Sequence, residues 1–301
     1  MHTLHNASAY TLLIYVFCKI LGGLALNEPS LLQMLVVGRC SEWKFTQGIY
    51  GIDCQNVWTE FEKIITGEQL SLLCTMDPKL FDPFVDSLFG YQPKLSKPFF
   101  WSGTRPFSIP FCRNLGICDV LEGTLPGYIF NGLDWCDLKQ TAGKVYHTQC
   151  GCSGKADLVY AFWKSASSSF SKLVEGDVGL FLNGSFAIPY DRNRTFGSSE
   201  LPNLHFPRVT KLTAYIVYPL EKVELSPPVG CKSENLMTLK ADVQKKNISY
   251  ECVDQPIFAL QYLCISNPTS RHCLTNISSH NSINYFILCL SFFASTFLVR
   301  T

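Results

Sequence analysis

The sequence predicts a mixed α/β fold in which a helical subdomain packs beside a small α/β subdomain. Apolar residues recur at helical spacing within residues 56–73 and again within residues 157–173. Residues 177–182 form an apolar run, and residues 211–218 alternate between apolar and polar side chains, which is typical of strands. Helical patterns early in the chain, followed by alternating strand and helix patterns, favour two packed layers.

The first helical segment is followed by a stretch that we expect to be irregular. Val57 and Phe61 lie on one face of the predicted helix, and Gly67 is a position where that helix can end and another begin. Residues 78–98 are predicted to be rich in loops because prolines punctuate them. These prolines are Pro78, Pro83, Pro93 and Pro98.

The remaining segments alternate in type. Residues 99–101 are a short apolar run that predicts a buried strand, and residues 120–130 resume a helical pattern despite Pro126. Residues 183–200 are polar and predict a loop, whereas the mixed apolar residues 253–265 close the fold.

The helical pattern returns after the first predicted strand, so we expect each subdomain to contain two separate segments of the chain. We therefore assign residues 26–93 and 120–175 to the helical subdomain, and residues 94–119 and 176–282 to the α/β subdomain. No internal repeat or low-complexity linker separates them.

The N-terminal residues have the pattern of a secretory leader. An apolar run at residues 11–17 precedes Gly23, Leu24 and Ala25, where small residues suit a signal peptidase, so residues 1–25 are predicted to be removed. An anchor helix is the alternative. The run is shorter than the roughly 20 residues needed to span a bilayer, and Lys19 interrupts it.

The C-terminal residues predict a lipid anchor on the extracellular face of the plasma membrane. Residues 283–299 are almost wholly apolar and follow a small polar stretch, which is typical of a GPI-attachment signal in which residues 283–301 are removed. A single tail-anchored helix is the alternative, although the flanking basic cluster of a stop-transfer segment is absent. The candidate attachment residues are Asn276, Ser278 and Ser279.

Cysteines and glycosylation sequons agree with export. Of 14 cysteines, Cys18 lies in the predicted leader and Cys289 in the predicted tail, and the even number that remains indicates a disulfide framework. The cysteines lack the spacing of zinc ribbons or fingers, so no metal site is predicted. Asn-x-Ser/Thr sequons occur at Asn183, Asn193, Asn247 and Asn276.

Charge and local motifs exclude several function classes. The chain has 25 basic and 24 acidic residues and no basic block, so nucleic acid is not an expected partner. Signatures of serine hydrolases, zinc proteases, P-loop kinases and dinucleotide-binding folds are absent. A homo-oligomer is compatible with the sequence.

Six stretches in a fixed order carry a resemblance to a known family. They are Trp101-Ser102, Leu121 to Tyr128 (LEGTLPGY), Leu133-Asp134-Trp135-Cys136, Phe162-Trp163-Lys164, Leu182 to Ser185 (LNGS) and Thr195 to Glu200 (TFGSSE). Together they resemble the animal ADP-ribosyl cyclase and NAD glycohydrolase family of ectoenzymes. Two positions depart from the family pattern, since Gly123 and Asn131 replace acidic residues.

The resemblance implies a disulfide-rich fold with a small parallel sheet, and an active site in the cleft between the subdomains. NAD or NADP would be the substrate, and no cofactor would be needed. The implied bridges are Cys40–Cys54, Cys74–Cys152, Cys136–Cys150, Cys231–Cys252 and Cys264–Cys273. Cys112 and Cys118, which lie close together in sequence, are expected to pair locally.

The resemblance also implies roles for individual residues. Glu200 would be the catalytic carboxylate that stabilises positive charge on the ribose. Trp101 and Trp163 would stack on the nicotinamide ring, with core packing as the alternative, and Glu122 would contact the carboxamide, with a surface charge as the alternative. The further substrate-binding candidates are Ser102, Asn131, Ser167, Arg194, Thr195 and Phe196, with Arg105 as an additional cation.

The predicted activity is cleavage of the nicotinamide–ribose bond to give nicotinamide and ADP-ribose. Cyclisation to cyclic ADP-ribose is the alternative, because the sequence does not fix whether water or adenine captures the sugar. A non-catalytic receptor with the same fold is a third reading, which would be favoured by loss of Glu200 or of both tryptophans, and all three are present.

The anchor can be tested on intact cells that display the protein. Phosphatidylinositol-specific phospholipase C should release the protein into the medium, because it cuts the lipid from a GPI glycan. Protein that stays with the membrane and retains residues 283–301 would instead establish a spanning helix.

Overall fold

A computed structural model describes residues 30–66, 77–133, 135, 158–220, 229–270 and 273. Its α-helices are α1 (Leu31–Thr46), α2 (Cys54–Thr66), α3 (Asp82–Phe89), α4 (Arg105–Leu115), α5 (Leu125–Phe130), α6 (Leu158–Leu173), α7 (Glu234–Gln244) and α8 (Ile257–Ser266). The strands are β1 (Phe99–Ser102), β2 (Gly176–Asn183), β3 (Val209–Val217) and β4 (Ser249–Asp254). Within the described residues, no helix has the length and apolar composition needed to cross a bilayer.

The strands form one parallel sheet in the order β1-β2-β3-β4. Trp101 is paired with Phe181 at the β1–β2 border, and Leu182 with Ile216 at the β2–β3 border. Strands in parallel sheets are usually covered on both faces, and β2 is accordingly buried from Val178 to its end. Because parallel strands end at the same edge, the carboxyl ends of β1 and β2 lie side by side. The expected mixed α/β fold with a parallel sheet is confirmed.

The helices pack around a cluster of aromatic rings. The Phe130 centroid lies 4.5 Å from that of Phe61 on α2 and 4.6 Å from that of Phe162 on α6. Two hydrogen bonds also connect α6 to α3. The Ser165 hydroxyl donates to Asp82 at 2.5 Å, and the Ser169 hydroxyl donates to Asp86 at 2.6 Å. Helix α6 is thereby fixed along its length.

Several elements differ from the sequence prediction. The prolines do not make residues 78–98 a continuous loop, because Pro83 lies in the first turn of α3, where a missing backbone N–H costs no helical hydrogen bond. The predicted strands at residues 99–101, 177–182 and 211–218 are present. The sequence analysis missed α1, α4 and α7, and it also missed β4, a half-exposed edge strand whose polar residues hide its pattern.

Among the described residues, four disulfide bridges join the pairs Cys40–Cys54, Cys112–Cys118, Cys231–Cys252 and Cys264–Cys273. These are the pairs expected from the sequence. The predicted bridges Cys74–Cys152 and Cys136–Cys150 lie outside the described residues, as do the predicted leader, the tail and the sequon at Asn276. The division into subdomain ranges stays a prediction.

Candidate active site

A cavity of about 640 Å³ opens between the carboxyl end of β1, helix α6 and the loop that follows β2. It brings together every residue that the sequence analysis proposed for catalysis or substrate binding. These residues are Trp101, Ser102, Glu122, Asn131, Trp163, Ser167, Arg194, Thr195, Phe196 and Glu200, with Arg105 beside them. Within the described residues, no cluster of His, Cys, Asp and Glu side chains that could hold a metal ion is present.

Glu200 is a buried carboxyl group at the bottom of this cavity. It ends the short π-type turn Phe196–Glu200, and its side chain is 7% exposed. Oε2 is buried and has no hydrogen-bond partner in the part of the chain that the structure describes. Because buried polar atoms are usually satisfied, an unpartnered oxygen in a cavity marks a functional atom.

Burial raises the pKa of Glu200 to about 8. The polar hydroxyl of nearby Ser167 lowers that pKa, whereas the negative charge of Glu122 raises it further. The group is therefore mostly protonated at neutral pH in the empty site. A cation bound next to it would favour the ionised form.

The loop that carries Glu200 is fastened to helix α7. The Arg192 guanidinium donates two hydrogen bonds to Asp242, at 2.6 and 2.7 Å, and the Tyr190 hydroxyl donates to the same carboxylate at 3.0 Å. At Gly197, an added Cβ would lie 2.5 Å from the Arg192 Cα, so the turn requires glycine. These contacts fix the backbone immediately before Glu200.

Glu122 is coupled to Trp101 by a hydrogen bond that the sequence did not indicate. The Trp101 Nε1 donates to Glu122 Oε2 at 3.2 Å, although the residues lie 21 positions apart. Glu122 is 8% exposed, which excludes the solvated surface charge. Burial raises its pKa, and its own backbone amide, Trp101 and Arg105 act in the opposite direction.

The turn beneath Glu122 depends on close backbone packing. An added Cβ on Gly127 would lie 1.8 Å from the Leu121 carbonyl oxygen, so α5 approaches this turn only because residue 127 is glycine. The Trp43 indole of α1 donates to the Gly123 carbonyl at 3.0 Å. Gly123, which replaces an acidic residue of the family pattern, therefore contributes its backbone carbonyl to this turn and has no side chain to contribute.

The two tryptophans are half-buried and both line the cavity. Trp163 packs the edge of its ring system against Phe162, with centroids 5.4 Å apart and an interplanar angle of 82°. Trp101 lies on β1 and also packs against the smaller apolar cluster on the far side of the sheet. Each ring thus contributes to packing while it presents part of its surface to the cavity.

The mouth of the cavity carries two arginines. Arg105 donates to the Asn131 side-chain oxygen at 2.6 Å, and Arg194 lies over the Phe186 ring at 5.0 Å. The cavity therefore has carboxyl groups inside it and cations at its rim, which suits a ligand with a cationic head and an anionic middle. Ser167 lines the cavity close to Glu200, and its contact with the diphosphate stays a prediction.

One predicted glycosylation site does not fit the structure. Asn183 is 5% exposed, and its Nδ2 donates to the Gly103 carbonyl at 3.0 Å while its Oδ1 accepts from the Ser185 backbone at 2.9 Å. A glycan on this nitrogen would break the contact with Gly103, so we no longer expect one at Asn183. Asn193 and Asn247 are exposed and stay as predicted sites.

Comparison with known proteins assigns the chain to a family. A family model described as ADP-ribosyl cyclase matches residues 29–273. The chain belongs to the ADP-ribosyl cyclase family. Like other members of that family, it is an enzyme.

Relatives and solved structures agree with this membership. An ADP-ribosyl cyclase/cyclic ADP-ribose hydrolase of Aplysia kurodai is 31% identical over 252 residues, covering 80% of this chain and 86% of the relative. A Mus musculus relative, ADP-ribosyl cyclase/cyclic ADP-ribose hydrolase 1, is 30% identical over an alignment that covers 74% of this chain and 72% of the relative. The crystal structure of Aplysia cyclase complexed with substrate NGD and product cGDPR superposes with a TM-score of 0.70 at 28% identity, covering 81% of this chain and 96% of that one.

The raised pKa of Glu200 predicts a pH-dependent stability difference for the Glu200→Gln variant. Because the folded pKa lies above the unfolded value, the wild-type protein loses stability as the pH rises from about 4.5 to about 8, whereas glutamine does not titrate. The variant should therefore gain stability relative to wild type over this window, by on the order of 2–4 kcal/mol. Denaturant unfolding of purified protein at about pH 5 and about pH 8 measures this difference.

Glu60→Gln is the control for this experiment, because that side chain is 48% exposed and pairs only with Lys63 among the described residues. It should change stability by a similar small amount at both pH values. A Glu200→Gln difference that is also the same at both values would contradict the raised pKa.

Proposed function

We propose that the chain is a cell-surface NAD(P)⁺ glycohydrolase that cleaves the nicotinamide–ribose bond and releases nicotinamide and ADP-ribose. The observation that carries this proposal is the unpartnered Oε2 of Glu200 in a cavity that two tryptophan side chains also line. The relatives named above act in cyclic ADP-ribose chemistry, and the crystal structure of the Aplysia enzyme contains the nucleotide substrate NGD.

The first step is ionisation of Glu200 by the substrate. The nicotinamide ring of NAD carries a positive charge, and a positive charge near a buried carboxyl group lowers its pKa. Binding therefore drives the proton from Glu200 to solvent. The resulting carboxylate is buried, so its field is stronger than that of a solvated carboxylate.

The second step is departure of nicotinamide. The electrons of the carbon–nitrogen bond pass to the ring nitrogen, so the leaving group becomes neutral and needs no general acid. Positive charge moves onto the ribose, where the Glu200 carboxylate stabilises the oxocarbenium-like transition state. Trp101 and Trp163 face the cationic ring before cleavage and lose that attraction after cleavage, which favours release.

Supporting groups orient the substrate. Glu122, held by the Trp101 indole, lies close enough to Glu200 to affect its ionisation and is our candidate partner for the carboxamide. Arg105 and Arg194 at the mouth, together with the backbone at Thr195 and Phe196, suit the diphosphate. The proposed reaction uses these side chains and needs no cofactor.

Hydrolysis completes the reaction when water forms a bond to the carbon that nicotinamide left and gives up a proton. That proton returns to the Glu200 carboxylate and restores the resting site. Arg105 and Arg194 are exposed at the mouth, so solvent reaches the cavity on that side. Cyclisation would need the adenine to fold back and displace this water. We therefore favour ADP-ribose as the main product, with cyclic ADP-ribose as the alternative that product analysis distinguishes.

The proposed location is the outer face of the plasma membrane, through the GPI anchor that the sequence predicts. The exposed sequons at Asn193 and Asn247 and the observed disulfides support passage through an oxidising secretory route.

Glu200→Gln should abolish most of the activity, because glutamine keeps the shape of the side chain but cannot supply a negative charge. We expect kcat for nicotinamide release from NAD to fall by at least about 100-fold. Glu175→Gln is the matched control, since Glu175 is 55% exposed and forms an ion pair with Lys94. It should keep wild-type turnover.

The same assay separates the competing functions. Chromatography of the products should show ADP-ribose as the main species from the wild-type protein. Predominant cyclic ADP-ribose would establish a cyclase, and equal turnover by wild type and Glu200→Gln would remove Glu200 from the mechanism. If the folded wild-type protein released no nicotinamide, it would be a binding protein and the proposed function would be wrong.

A further inference from the structure

Helix α8 has the composition of a buried helix but lies at the surface. Its sequence, IFALQYLCIS, contains no charged residue, and its apolar side chains are not confined to one side, although Gln261, Tyr262 and Ser266 are polar. A helix of this kind is normally enclosed by protein or lipid. Only Ala259 is fully buried in α8, however.

One face of α8 accounts for its attachment to the protein. The Phe258 ring lies 5.5 Å from Phe111 on α4, and the Tyr262 ring lies 5.8 Å from Phe107 and 5.2 Å from Phe111. These rings cover the outer side of the sheet together with Phe181. The inner face of α8 is therefore satisfied by packing.

Two isoleucines of α8, which lie on either side of the exposed Gln261 on the helix surface, have no such cover. Ile257 is 74% exposed and Ile265 is 64% exposed. The end of α4 extends this surface, because Asn114 donates to the Tyr262 hydroxyl at 3.4 Å, and Leu115 and Ile117 beside it are 43% and 47% exposed. We call the side chains of Leu115, Ile117, Ile257 and Ile265 the α8 apolar patch. Grouped exposed apolar side chains mark interaction surfaces.

The predicted lipid anchor would bring this patch near a membrane, so the inference rests on the proposed cell-surface location. Cys264 of α8 is bonded to Cys273. Nine residues separate Cys273 from the apolar run that starts at residue 283, a length of at most about 30 Å. If lipid is attached at Asn276, Ser278 or Ser279, the distance along the chain is only about 10–20 Å.

We propose that the α8 apolar patch rests on the outer leaflet of the membrane that anchors the chain. Because α8 has no charged side chain, contact would come from burial of apolar groups among the lipid headgroups rather than from attraction to anionic lipids. One lipid anchor binds a membrane more securely when a second contact supports it. The patch supplies that second contact.

This contact would also fix the orientation of the cavity mouth relative to the membrane. Arg105, at the start of α4, lines the cavity mouth, whereas Leu115, at its end, belongs to the patch. A helix of 11 residues is about 16 Å long. The mouth would therefore be held above the lipid surface, where dissolved nucleotides reach it.

The test is photolabelling of the full-length protein on cells or in phosphatidylcholine vesicles. The probe is phosphatidylcholine with a diazirine high on its acyl chain, and mass spectrometry identifies the labelled peptides. Label should concentrate on peptides that contain Ile257 and Ile265. Peptides with Phe45 and Tyr50, which are 76% and 75% exposed, are the internal control and should stay unlabelled.

The Ile257→Ser and Ile265→Ser double variant should reduce labelling of α8 by at least about fivefold. Phe45→Ser should have no effect, and both variants should unfold in denaturant as cooperatively as wild type, which shows that they fold. Raising the salt concentration should not reduce labelling. Equal labelling of the control peptides, or no label on α8, would overturn the proposal, as would cross-links that join the patches of two copies. The test is independent of the proposed reaction, because it needs no catalytic residue.

Discussion

The structure depends most on the placement of one carboxyl group, that of Glu200, in a cavity where one of its oxygens has no partner. Burying such a group costs free energy, and a protein keeps this arrangement only when surrounding contacts over-determine it. Those contacts come from three directions. The hydrogen bonds from Tyr190 and Arg192 to Asp242 hold the loop. Ser167 on α6 lies close to the carboxyl group, and the carboxyl end of β1 lines the same cavity.

The rest of the fold serves this placement. Two Ser–Asp hydrogen bonds and the aromatic cluster around Phe130 prevent α6 from sliding along α3, so Trp163 and Ser167 keep their positions. The parallel arrangement brings Trp101 on β1 to the same edge as the loop that follows β2. Helix α6, strand β1 and the loop after β2 thus also make contacts outside the cavity, and such supporting contacts preorganise a site.

The electrostatics of the site are arranged for a substrate of mixed charge. Glu122 and Glu200 influence each other, so two adjacent negative charges are unfavourable until a cation arrives. The arginines remain at the rim, where solvent lowers the cost of their charge. A ligand that carries a cation at one end and a diphosphate beyond it would be bound in one orientation only.

The sequence predicted the parts of the site that are contiguous in the chain. Every site residue proposed through the family resemblance lines the cavity, including Asn131, Ser167 and Arg194, which lie outside the six stretches. The hydrogen bond between Trp101 and Glu122 joins residues 21 positions apart, and the hydrogen bonds between Arg192 and Asp242 join residues 50 positions apart. No local sequence pattern predicts contacts over such separations. In the fold, β4 was missed because an edge strand does not need the apolar run of a buried one.

The central claim is that Glu200 is protonated in the empty site and ionises when a cationic substrate binds. Calorimetry of binding in buffers with different ionisation enthalpies measures this directly, with a carbocyclic NAD analogue that keeps the cationic pyridinium but cannot be cleaved. At about pH 7, the account predicts release of close to one proton per site by wild type and none by Glu200→Gln. Binding by the wild-type protein without proton release would contradict it.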